Sequence, residues 1–98
     1  MKLISTQRHI DHEIVALKAS VNDYDVQAVK IFIDGEDVFY IVDGHHSLFA
    51  AIESGVNPSI TINQAIQQEA DAMSLDDFLE SHWMDSEPYD IMTGENVF

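Results

Sequence analysis

Apolar positions change their spacing several times along this chain, and each change marks a different element. Between Asp11 and Val21, residues Ile14, Leu17 and Val21 recur at helical spacing, with acids in the first turn where the helix dipole favours them. This spacing predicts a helix with that stripe turned to the core. Asn22-Asp23 breaks it. From Val26 to Ile33 the run is mostly apolar and β-branched, as is Val38 to Val42, and Asp34-Gly35 between them is a hairpin turn signal. Five consecutive apolar or aromatic residues in the second run predict a strand covered on both faces.

After Asp43-Gly44 the period becomes helical again. Leu48, Ala51 and Ile52 share one face of a helix from about His45 to Ser54, and Gly55 suits the position just past its end. Asn57-Pro58 turns the chain, and Ser59-Ile60-Thr61-Ile62-Asn63 alternates as a third short strand. Residues 64–73 are helix-prone. Ser74, with Asp77 three residues on, caps a further helix to about Trp83, in which Phe78 and Trp83 are expected as core anchors. These elements predict one α+β (α/β-like) domain over residues 1–84. Its small mixed β-sheet has three to four strands, with two to four helices. Residues 85–98 read as an acidic tail that Tyr89, Ile91, Met92, Val97 and Phe98 could pack onto the domain or a partner.

Charge changes the picture more than length does. The 98 residues carry 18 acids against four bases, for a net charge of −14. The bases are Lys2, Arg8, Lys18 and Lys30, and none follows Lys30. Nucleic-acid backbones are bound by cations that release condensed counterions, so direct nucleic-acid binding is not expected. The acids Glu69, Asp71, Asp76, Asp77, Glu80, Asp85, Glu87, Asp90 and Glu95 are either a solvated face or a surface for a basic partner. In the second reading Phe78 and Trp83 become aromatic contact residues within that surface. There is no cysteine, which excludes disulfides and thiolate chemistry and fits a cytoplasmic protein. No apolar run reaches the roughly 18–20 residues that span a bilayer, so no membrane contact is expected.

One segment carries candidate chemistry. In Asp43-Gly44-His45-His46-Ser47, a glycine permits a sharp turn, and the following helix start offers free N–H groups to an anion. His45 and His46 could supply hydrogen bonds, proton transfer or metal ligation near neutral pH. The bland alternative is that Asp43 caps the helix and the histidines pack. A general base formed by either histidine with Asp43 would have Ser47 as nearest nucleophile, although adjacent residues seldom align as a triad. His9 and His12 could share a helix face, but no strong metal-ligand spacing is present, and no metal site is expected.

The stretch from Ile41 to Gly55, with Asp43-Gly44-His45-His46 at its centre, resembles the nucleotide-pocket motif of the ParB/sulfiredoxin superfamily. The order of helix, strand, turn and motif strand before it is similar too, over roughly residues 9–63. The resemblance implies a pocket for a nucleoside triphosphate with Mg²⁺, lined by Gly44, His45 and His46 with Asp43 at its edge. Ser47 departs from the pattern, because family members usually place arginine there. A hydroxyl donates one hydrogen bond but cannot neutralise phosphate as a guanidinium does. Sulfinic-acid reduction needs a cysteine that is absent, and only 35 residues follow residue 63, too few for the DNA-reading and dimerisation segments of partitioning proteins.

Two functions follow as expectations. The favoured one is a non-catalytic, acidic ParB-like regulatory protein without cofactor. It would act as a phage- or plasmid-type inhibitor that imitates nucleic acid on a basic, nucleic-acid-binding host protein. The alternative is a nucleotide-binding enzyme, a nucleoside triphosphatase or nuclease, using His45 and His46.

Overall fold

A computed structural model describes residues 2–98 as an alternation of strands and helices: β1 Lys2–Ser5, α1 His12–Ser20, β2 Asp25–Ile33, β3 Glu36–Asp43, α2 His45–Ser54, β4 Ser59–Ile62, α3 Gln64–Ala72, α4 Leu75–Ser81 and β5 Tyr89–Asp90. The fold is α+β, with four helices and one mixed sheet of five strands in the order β4-β2-β3-β1-β5. Its spine is the β2–β3 hairpin, paired antiparallel from Ile33↔Glu36 to Gln27↔Asp43. Asp34 and Gly35 close it with φ of 51° and 84°, the two positive values that a tight primed turn demands. β1 pairs parallel to β3, β4 parallel to β2, and β5 antiparallel to β1.

Both faces of the hairpin are covered, as the uninterrupted apolar run of β3 requires. On one face Val29, Ile31, Ile33, Val38 and Tyr40 join Ile4 and meet Phe78 and Leu79 of α4, with Ile66 and Ala70 of α3 beside them. On the other, Val26, Ala28 and Ile41 meet Leu48 and Phe49 of α2, together with Tyr89 and Ile91. Phe78 is 1% exposed, and its ring meets Tyr40 edge-on at 5.5 Å. The Tyr40 hydroxyl reaches Thr6 Oγ1 at 2.8 Å and donates to the His82 carbonyl at 2.9 Å. Burial raises the Tyr40 pKa, so the phenol stays neutral as a donor.

Two strands exceed the three that local spacing reveals. β1 has two apolar residues followed by Ser5-Thr6, and its partners lie more than thirty residues away at Val38–Tyr40. Within residues 85–98, β5 forms the sheet edge opposite β4. The Ile91 N–H donates to the Leu3 carbonyl at 2.9 Å, Tyr89 donates its hydroxyl to the Gln7 carbonyl, and the Arg8 guanidinium lies 4.0 Å above the Tyr89 ring.

Two expectations about packing need correction. On α1 the buried residue is Val15, whereas Ile14, Leu17 and Val21 face solvent, the last two more than 60% exposed. Apolar residues occur on every side of this nine-residue helix, so periodicity does not select a face and contact with α2 does. Trp83 is no core anchor. It lies beyond the end of α4 and is 47% exposed.

Candidate functional site

The turn after β3 sits where the hairpin, α1 and α2 converge. Gly44 takes φ 84° and is the N-cap of α2, which has no side-chain cap and no acid in its first turn. Asp43 does not cap the helix. Its Oδ1 accepts the N–H of Gly44 at 2.8 Å instead. The glycine lies against β2 so closely that a Cβ would stand 2.5 Å from the Asp25 carbonyl oxygen and 3.0 Å from the Val26 Cα. Chain packing alone therefore accounts for this glycine.

The polar side chains of the turn are engaged inside the protein. His45 is 4% exposed, with Nε2 2.6 Å from Ser5 Oγ. Ser5 Oγ also accepts the Gln7 N–H at 2.9 Å, so donating its own proton to a neutral His45 ring satisfies both atoms. His46 Nε2 accepts the Asp11 N–H at 3.2 Å, at the start of α1. Ser47 donates to Asp23 Oδ1 at 3.1 Å and does not face a histidine.

Sequence reasoning did not single out Ser5, the serine that meets His45, because the two are forty residues apart and meet only through β1. The pair lacks what a nucleophile needs. Ser5 is fully buried, and no carboxylate bonds the other His45 nitrogen among the described residues. Burial lowers the His45 pKa to about 4, outweighing Asp43, which raises it; His46 lowers it further.

The pH dependence of stability follows from that shift. Unfolded histidine binds a proton near pH 6.5, while the folded ring resists until about 4. This contribution is therefore complete above 6.5 and is lost as pH falls towards 4, by about 3 kcal/mol in all. Urea unfolding at pH 7 and pH 4.5 should show a larger loss in the wild type than in His45→Gln. Equal losses would refute a buried neutral imidazole.

Two hollows adjoin the turn. One, of about 190 Å³, is bordered by Gln7, Lys18, Asp43 and the turn residues Gly44 to Ser47. The other, of about 480 Å³, has Asp23, Asp25 and Asp43 on its walls with Lys18 and Thr61. The first is smaller than the ~300 Å³ at which ligand pockets usually begin, and the second is ringed by carboxylates. Lys18 is the single base at either, and its Nζ donates to Asp23 at 2.9 Å. That bond, first among several, holds the Asp23 carboxyl below its ordinary pKa. A triphosphate would meet three carboxylates and one already paired ammonium. Among the described residues no three His, Cys, Asp or Glu side chains gather as a metal site, and His9 and His12 are exposed near the start of α1.

The acids expected to meet a partner are exposed except Asp90, which is half-buried and accepts the Met92 N–H at 2.9 Å, and they are not one patch. Asp76, Glu80 and Glu87 border a single groove with Trp83. Glu69 pairs with His82 Nε2 at 3.0 Å, and Asp71 accepts from Gln67 at 3.1 Å. Asp85 is occupied structurally, its two oxygens accepting the N–H groups of Arg8 and His9. Asp77 lies in the first turn of α4.

No family model, curated protein or solved structure matches this chain. No helix among the described residues is long and apolar enough to cross a membrane. The class is given by architecture: a small α+β domain with a five-stranded mixed sheet.

Proposed function

We propose that this chain is a non-catalytic binding protein of the cytoplasm, whose acidic surface occupies a basic site on a nucleic-acid-binding protein. A phage- or plasmid-type inhibitor that imitates a nucleic-acid backbone is the specific form. In descent it would be a degenerate ParB/sulfiredoxin-type domain, a reading supported by the Asp-Gly-His-His turn and by the helix, hairpin, turn, helix and strand succession around it. The observation that carries the function is the fate of the turn. His45, His46 and Ser47 spend their side chains on Ser5, the start of α1 and Asp23, leaving nothing but backbone for a phosphate. Asp76, Asp77, Glu80 and Glu87, in contrast, are exposed and have no ion-pair partner among the described residues.

Binding driven by such a surface weakens with salt. Against a panel of basic DNA-binding domains, the protein should bind at least one in competition with duplex DNA. Affinity should fall about tenfold or more between 50 and 300 mM NaCl. Reversing Asp76, Asp77 and Glu80 to Lys should abolish the interaction. Binding that ignores salt, or survives the reversal, contradicts the proposal.

One observation favours the nucleotide-enzyme reading. The first turn of α2 is uncapped, and its N–H groups open beside Lys18, an arrangement that attracts anions. Under that reading Mg²⁺ and a triphosphate would be the cofactors. A thermal shift with either CTP or ATP that disappears in His46→Ala would support it.

A further inference from the structure

We propose that the groove between α4 and the C-terminal segment is a receptor for an arginine side chain of a basic partner. The inference rests on the acidic-surface reading above and names the place and the side chain. The groove holds about 490 Å³. Leu79 and Pro88, both buried, form its floor, and the rings of Trp83 and Phe98 stand along it, 47% and 66% exposed. Asp76, Glu80 and Glu87 border the same space. None of these three carboxylates has an ion-pair partner among the described residues, where the direct pairs are Lys2–Glu36, Lys18–Asp23 and His82–Glu69.

Aromatic rings left in water between unpaired carboxylates are unfavourable to the isolated protein and complementary to one kind of group. A guanidinium is planar, stacks on an indole face, and still presents N–H donors at its edge to flanking carboxylates. Its methylene stem covers apolar surface such as the Leu79–Pro88 floor. An ammonium is a strongly hydrated point charge and gains less from the ring. An aliphatic side chain would bury the rings but leave three carboxylates facing it. None of the chain's own cations lines the groove: Lys2 and Lys18 are paired with Glu36 and Asp23, Lys30 borders a different hollow, and the sole arginine, Arg8, is held by the Gly94 carbonyl, Asn96 and the Tyr89 ring.

Trp83 is the only tryptophan, so its emission reports on this groove alone. Blocked hexa-arginine and hexalysine peptides should be titrated into the full chain, followed both by Trp83 fluorescence and by calorimetry. Hexa-arginine should change the emission and bind about fivefold tighter than hexalysine. Trp83→Leu, at a half-exposed position, should remove that preference, and Glu80→Gln with Glu87→Gln should weaken hexa-arginine severalfold at unchanged Tm. Binding of both peptides without a fluorescence change overturns the groove while the acidic-surface reading stands. A fluorescence change with equal affinities overturns the choice of arginine. Absence of binding by calorimetry at low salt overturns both.

Discussion

Gly44→Ala is expected to unfold the protein or leave it barely stable, with a cost of about 3 kcal/mol or more. Two terms add. A side chain at φ 84° carries left-handed strain of about 1–2 kcal/mol. The new Cβ also meets the Asp25 carbonyl oxygen at 2.5 Å, a backbone atom of a central strand that cannot swing aside. Overpacking of this kind costs about 1–3 kcal/mol more. Gly55 provides the control. It has φ 70° with nothing within 4 Å of its would-be Cβ, so Gly55→Ala should suffer the strain alone. Urea midpoints compare the two. If Gly44→Ala is no worse than Gly55→Ala, then close packing on β2 does not explain this glycine, and a ligand-binding role regains force.

Phe78→Ala is the second large loss, at about 3–5 kcal/mol. The ring joins α4 to the sheet through Tyr40, and beyond it packs on His82 at a 4.6 Å centroid distance. A domain of this size has only ~5–15 kcal/mol of stability, so the truncation removes a large share of it. It also loosens the helix that carries Asp76, Asp77 and Glu80. Phe32 is the matched comparison at 66% exposure, and Phe32→Ala should shift the unfolding midpoint little. Similar losses at the two positions would mean that the α4–sheet contact is not the core described above.

What the sequence discloses depends on how local each cause is. The β2–β3 hairpin was legible because Asp34-Gly35 sits between two long apolar runs, and turn chemistry and strand propensity agree there. The helices after Gly44 and Ser74 were legible for the same reason, with Gly55 ending one and Ser74 opening the other by accepting the Asp77 N–H. Strands β1 and β5 were not legible, since each owes its existence to partners across the chain. At the candidate site, the string Asp43 to Ser47 drew attention on chemical grounds, but local pattern could not say where its side chains point. Ser5, Asp23 and Asp11 decide that, and all three arrive from before β2. The same limitation misplaced the apolar stripe of α1 and the indole of Trp83.

If the turn is a structural joint and the working surface is acidic, polyphosphate should find no purchase. Isothermal calorimetry of the intact chain with CTP and with ATP, each with Mg²⁺ at 150 mM salt, tests this most directly. The account predicts no saturable heat up to millimolar nucleotide. A dissociation constant in the micromolar range or below for either nucleotide would contradict it.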